Sequence, residues 1–241
     1  NGFNTTMSQS ISGVGGLTKI GTGTLTFSGL ETYTGGTTVT AGTLLLSGTG
    51  TFGADTNTLL VNGGTADLGS LARTQNGGVT LSSGTIQNGT LSSSNYFNVQ
   101  SGTISAILAG TAPLTKSTSG TVTLSGASTF TGDTAINGGI LSISNNDSNL
   151  GNANQSLSFS NGATLQFGSS FNLAGTRATT LNSGGGTIDT NGFNTTMSQS
   201  ISGIGGLTKI GTGTLTFSGL ETYTGGTTVT AGTLLLSGTG T

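Results

Sequence analysis

Residues 191–241 repeat residues 1–51 with a single change, Val14 against Ile204, so the chain is self-similar and begins at Asn191 a second copy of what starts at Asn1. A looser self-similarity lies inside that unit. At an offset of 97, Leu17-Thr-Lys19 returns as Leu114-Thr-Lys116, Leu25 and Phe27 meet Val122 and Leu124, and Tyr33 meets Phe130. At the same offset Gly23, Gly29, Gly35 and Gly42 meet Gly120, Gly126, Gly132 and Gly139, while Val39, Leu44 and Leu46 meet Ile136, Leu141 and Ile143. Glu31 faces Ser128 and Gly36 faces Asp133, so the positions that drift are polar or small. A chain that keeps its apolar and glycine slots at fixed spacing is built from stacked copies of one structural unit.

The local pattern says what kind of unit. Hydrophobic residues come in short alternating pairs: Leu25 and Phe27, Leu44 and Leu46, Val79 and Leu81, Phe97 and Val99, Val122 and Leu124, Leu157 and Phe159, Leu165 and Phe167. A period of two buries one face of a strand. The intervening residues are largely Thr and Ser, which suit the solvated side of a pleat. Helices are excluded by glycine. The longest glycine-free stretch, Thr90 to Ser101, is twelve residues and rich in Ser and Asn, and each interior glycine costs a helix about 1 kcal/mol. At bends between short strands the same glycines are useful, because they accept positive φ.

The expected fold is therefore all-β, a parallel β-helix or β-solenoid: one continuous solenoid over 1–241, with a tandem unit of 1–190 and a second copy beginning at 191–241. Inward Leu, Ile, Val and Phe form a narrow core, and outward Thr, Ser and Asn form ladders at the strand spacing of about 4.8 Å. With about 20–24 residues per turn, one unit makes about eight or nine turns and roughly 40 Å of rod. Residue 1 begins in mid-pattern, and Thr241 stops where Thr51 runs on into Phe52. The expectation is an uncapped segment of a longer repeat array.

Composition removes most other functions. There is no Cys and no His, which excludes disulfides, thiol chemistry, zinc sites with Cys or His ligands and His-based acid–base catalysis. Five Lys and Arg lie scattered against seven Asp and Glu, for a net charge of −2. Nucleic-acid binding needs a basic patch that displaces counterions, so no nucleic-acid partner is expected. No run of about 18 apolar residues is present, so no membrane insertion by this segment is expected. The chain also differs from a disordered one. Disordered chains are poor in hydrophobes and rich in charge, whereas here hydrophobic residues make up 31% and charged residues 5%.

The stretch from Gly15 through Leu17-Thr-Lys-Ile-Gly21 and Gly23-Thr-Leu-Thr-Phe-Ser-Gly29, continuing from Tyr33-Thr-Gly-Gly36 to Ala41-Gly-Thr-Leu-Leu-Leu-Ser47, resembles the autotransporter passenger-associated β-strand repeat of bacterial surface proteins. Blocks like it occupy 15–48, 112–145 and 205–238. The resemblance implies a parallel β-helix, an extracellular or bacterial cell-surface location, and a role in rods, fibres or adhesin stalks. It carries no catalytic residues.

Several residues have chemistry that a site could use. Lys19, Lys116 and Lys209 share one slot; a stacked basic site competes with the plainer reading of a strand-end lysine, its stem on apolar surface and its head in water. Tyr33, Phe130 and Tyr223 share another, read as ring packing because the middle copy dispenses with the hydroxyl. Gly48-Thr-Gly-Thr-Phe-Gly53 matches G-x-G-x-x-G, but a dinucleotide site needs a helix next, and Ala54-Asp-Thr-Asn-Thr-Leu-Leu reads as turn then strand. Gly184-Gly-Gly-Thr-Ile-Asp189 approaches a calcium nonapeptide but has Thr187 where that repeat has glycine, and Asp55, Asp67, Asp133, Asp147 and Asp189 are isolated along the chain. Acids and bases are too dispersed for the paired groups of a polysaccharide hydrolase. Thr-x-Thr units at Thr22/Thr24/Thr26 and Thr121/Thr123 are too irregular for an ice-binding array.

The reading is a non-enzymatic structural repeat, with no cofactor, no metal and no catalytic residue expected. Its expected partners are neighbouring copies along the axis, with a homo-oligomeric filament, or a surface glycan or host ligand, as further candidates. A carbohydrate-binding or host-binding face is the alternative function, and ice a more remote one.

Overall fold

The computed structural model describes residues 2–238; the outer ends of the 1–241 solenoid and the comparison of Thr241 with Thr51 fall outside the described residues. The chain is a continuous parallel β-solenoid of about twelve turns. Every pairing among the described strands is parallel and joins a strand to its counterpart one turn away.

Each turn lays down three faces. The first face stacks Leu17–Lys19, Thr37–Val39, residues 59–61 and 79–81, Phe97–Val99, Leu114–Lys116, Thr134–Ile136, Leu157–Phe159, Thr179–Leu181 and Ile201–Gly203. The second runs from Thr5–Met7 through Thr24–Phe27, Thr43–Leu46, residues 65–67 and 85–87, Gly102–Ile104, Thr121–Leu124, Ile140–Ile143, Ala163–Phe167 and Gly186–Asp189 to Leu207–Ile210 and Thr227–Val229. The third face is less regular. It passes through residues 31–34, 71–74 and 89–92, Ile107–Gly110, the bridge at Leu173, Thr195–Met197, Thr214–Phe217 and Thr233–Leu236.

The alternating pairs point inward as the pattern requires. Leu44, Leu46, Val79, Leu81, Phe97, Val99, Val122, Leu124, Leu157, Phe159, Leu165 and Phe167 are all buried. Leu25 is only half-buried. It stacks on Leu44 on one side but on Thr5 of an exposed strand on the other. Its copy Leu215, between the buried Thr195 and the partly buried Leu234, is fully buried. Within the core Phe97 and Phe130 meet with ring centres 5.9 Å apart and planes at 56°, and Phe167 meets Phe171 at 5.1 Å and 48°, the tilted geometry that aromatic quadrupoles favour.

Two expectations need revising. Strands are not all short: Thr58–Thr74 and Gly78–Ser93 each run around successive faces. At their bends, marked by positive-φ Gly63, Gly69, Ser70, Gly84 and Asn88, the pairing register shifts, between Val61 and Thr65 and between Asp67 and Leu71, while the strands run on. Turns are also less uniform than expected. Along the first face the turn from Phe97 to Leu114 is the shortest and falls below the expected range, while the turn from Thr134 to Leu157 is the longest. The long turns bulge on the third face, where a short 3-10 turn occupies Asp147–Leu150.

Candidate functional site

The lysine slot is where the structure departs most from the sequence reading. Lys19, Lys116 and Lys209 do not put their heads in water: they are 7%, 0% and 0% exposed. Each occupies an inward position, in register with Val39, Ile136 and Val229 respectively. Its stem therefore continues the core row, and its ammonium ends inside the bend that follows the strand. Lys19 Nζ donates to the carbonyls of Ile20 at 2.9 Å, Gly21 at 2.7 Å and, one turn on, Ala41 at 3.1 Å. Lys209 Nζ donates to Ile210 at 2.8 Å, Gly211 at 2.7 Å, Ala231 at 3.1 Å and the Thr190 hydroxyl at 2.9 Å. Lys116 Nζ donates to the Thr118 carbonyl and to Gly138 at 3.0 Å.

An ammonium has three donors and no acceptor, so converging carbonyls satisfy it and join the bends of two turns. Burial lowers the pKa of all three lysines below the usual 10.5; for Lys209 the carboxylate of Asp189 pulls the other way. The bend one turn away carries Gly42, Gly139 or Gly232 at φ +62, +63 and +71. A Cβ on Gly139 would press into the Thr118 carbonyl and stand 2.7 Å from Lys116 Nζ, and on Gly42 it would press into the Gly21 carbonyl. The glycine that follows each lysine at one constant interval is the other half of the cage, a pairing that the offset of 97 exhibits but that composition hides.

The ring slot packs as expected. Tyr33 is 2% exposed and Phe130 fully buried, and Tyr223 packs partly buried against the core. Gly53 and Gly151, at φ +80 and +75, lie on the Tyr33 and Phe130 rings, where a Cβ would come within 2.7 and 2.9 Å. The Tyr33 hydroxyl sits 2.5 Å from Thr37 Oγ1, which donates to Phe52 O at 2.9 Å. Burial and the nearby Glu31 carboxylate push the Tyr33 phenol up to about 12, against the opposing hydrogen bond with Thr37. Glu31 is itself buried, accepting from Ile11 N–H at 2.5 Å; burial raises its pKa although that hydrogen bond works to lower it.

The acids do not converge. Asp67 accepts from Gly69 N–H, Gln87 and Asn88 at 2.9, 2.8 and 2.9 Å. Asp189 accepts from Gln166 at 2.8 Å and Asn191 N–H at 2.8 Å, and Asp133 from Ser156 N–H at 2.9 Å. Asp147 is tied to the fully buried Arg177, with Nε–Oδ1 at 2.9 Å and Nη2–Oδ2 at 3.0 Å. Arg177 also donates to the carbonyls of Leu150, Gln155 and Gly151, clamping two third-face loops; nothing in the sequence spacing marks this pair. Among the described residues no three or more His, Cys, Asp or Glu are grouped to hold a metal. Gly48, Gly50 and Gly53 lie in a turn that leads to the strand Thr58–Thr74, with no helix behind them.

The threonines are more regular than their sequence spacing suggests. Thr24, Thr43, Thr65, Thr85, Thr103 and Thr123 are in register on the second face, one per turn over six consecutive turns. The position two residues on varies, through Thr26, Leu45, Asp67, Gln87, Ser105 and Ser125. The rank is thus single, and the second rank of a Thr-x-Thr array is not formed.

The passenger-associated-transport-repeat family matches residues 17–46, 114–143 and 207–236. Each match starts at a caged-lysine strand and runs through the next turn to the strand after its glycine. The chain is also 43% identical over 102 residues to the adhesin BmaC autotransporter of Brucella suis biovar 1 (strain 1330), a stretch covering 42% of this chain and 3% of that protein. No solved structure matches. No helix among the described residues is long and apolar enough to cross a membrane.

Proposed function

From the premise that this chain is an extracellular or cell-surface segment of autotransporter passenger repeats, we propose that it is a mechanical element: a rod or stalk of an adhesin-like surface protein, without catalytic activity. The observation that carries this reading is the turn-on-turn parallel pairing in which the three repeats stand, each closed at its corner by a buried lysine. Charge serves corners and loop clamps rather than a groove, as the pairing of Arg177 with Asp147 illustrates. Length is added by turns of about 20 residues, each extending the rod by about 4.8 Å.

Self-association into a filament belongs to the same proposal. With 5% charged residues, lateral repulsion between rods is weak. Sedimentation of the chain at rising concentration tests it: growth of elongated species supports assembly, and monomers throughout contradict it. The mechanical role is tested by electron microscopy of the full-length protein on cells, where slender projections support a stalk and compact knobs contradict it. The second reading, a face that touches a glycan or host surface, draws on the single threonine rank of the second face and on the adhesin name of the relative. Retention on a glycan array that is lost when Thr65, Thr85 and Thr103 are replaced by Val would favour it over the purely mechanical role.

A further inference from the structure

The two copies of the block 1–51 do not lie on the same faces. Leu17–Lys19 is on the first face, whereas its copy Leu207–Ile210 pairs with Gly186–Asp189 on the second. Thr24–Phe27 is on the second face, and its copy Thr214–Phe217 is on the third, paired with Thr195–Met197. Glu31 is on the third face; Glu221 bridges to Ile201 on the first. Thr37–Val39 and Thr43–Leu46 move likewise, from first to second and from second to third. Every element of the block is advanced by one face.

We infer that one unit of the tandem repeat makes nine and one-third turns, so that successive units display the same outer surface on successive faces of the rod, a third of a revolution apart and about 45 Å further along at the strand spacing. The origin of the extra third is visible in the turns themselves. From Leu17 to Leu114 the chain makes five whole turns, while the slightly shorter stretch from Leu114 to Leu207 makes four and one-third. The later turns are longer because their third face detours through residues 144–156 and 168–178, and the Arg177–Asp147 pair locks those detours together. A repeat nearly constant in residue spacing is thereby uncoupled from a whole number of turns.

The consequence concerns partners, and it stands apart from the filament reading. The threonine rank that starts at Thr24 and Thr43 on the second face restarts in the second copy at Thr214 and Thr233 on the third. A partner with a long flat surface, such as a crystal face, meets the same patch only at every third unit along any one side of the rod. Tandem units instead offer that patch in three directions, which suits discrete ligands or neighbouring rods that surround the stalk.

The absence of cysteine from the chain allows a direct test. Pyrene maleimide is attached to the double variant Thr187→Cys/Thr208→Cys and, separately, to Thr180→Cys/Thr208→Cys, in the full chain at a dilution where single-cysteine variants give no excimer. The outward Thr187 and Thr208 are in register on adjacent turns of the second face, so the first pair is expected to show the excimer band. Thr180 lies on the first face, where Thr208 would stack if the unit made a whole number of turns, and the second pair is expected to show monomer emission alone. An excimer from 180/208, or its absence from 187/208 in protein with unchanged circular dichroism, overturns the inference.

Discussion

A lysine inside a β-solenoid looks misplaced until its surroundings are counted. Lys116 is fully buried, yet its ammonium faces carbonyls from two successive bends. The slot was legible in the sequence; its direction was not, because a lysine at a strand end ordinarily reaches for water. The signal that marks the cage is the glycine that follows at a constant interval. Gly139→Ala is expected to destabilise the chain by about 2–4 kcal/mol, from a positive φ and a Cβ forced against two carbonyls, as read by urea unfolding. The buried ionisable groups also set the pH response. Between the lowered lysine pKa values and 10.5 the unfolded chain binds more protons than the folded one, so stability rises with pH through that window. Tyr33 opposes this above pH 10, because at about 12 it keeps a proton that the unfolded chain has lost. At the acid end Glu31, with its pKa raised above 4.5, takes up its proton earlier in the folded state, so stability increases as pH falls through its folded value. Thermal unfolding at pH 7 and pH 4 should show that Glu31→Gln removes this acid-side gain.

At the scale of strands and loops, the alternating pairs foretold the inward rows, because a period of two admits one buried side. Leu44 and Thr43 make the contrast sharp: neighbours in one strand, one fully buried and one half-buried. Leu44→Ala is expected to cost about 2–5 kcal/mol through the cavity it leaves between Leu25 and Ala66, and Thr43→Ala less than about 1 kcal/mol; equal losses in calorimetry would mean that the inside and outside of the strand are exchanged. The loops were opaque by comparison. Asp147 and Arg177 are far apart in sequence, and their pairing depends on two detours whose lengths follow no period. Arg177→Ala is expected to cost about 3 kcal/mol by stranding Asp147 and several carbonyls, with hydrogen exchange accelerating first in residues 144–156 and 170–178. Arg177→Lys recovers part of this at most, since an ammonium cannot bridge both carboxylate oxygens and the loop carbonyls in the guanidinium's fork geometry.

For the whole molecule, the repeat made the solenoid legible, and the family resemblance agreed with it. The number of faces and the phase of the second copy were beyond the sequence. Turns differ in length, short between Phe97 and Leu114 and long between Thr134 and Leu157, and a residue count alone cannot say where a turn closes. The expected eight or nine turns per unit became nine and one-third. Stability in such a stack is a sum over neighbouring turns, so the central claim is one of geometry: distance along the axis grows in proportion to turns traversed, whatever lies between. Spin labels on first-face outward positions measure this. Pairing Thr38 with Thr115, Thr180 and Ser202 spans four, seven and eight turns, so double electron–electron resonance is expected to give backbone separations of about 19, 34 and 38 Å at the strand spacing. Distances that level off, or that do not increase in that order, would contradict a single coiled ladder.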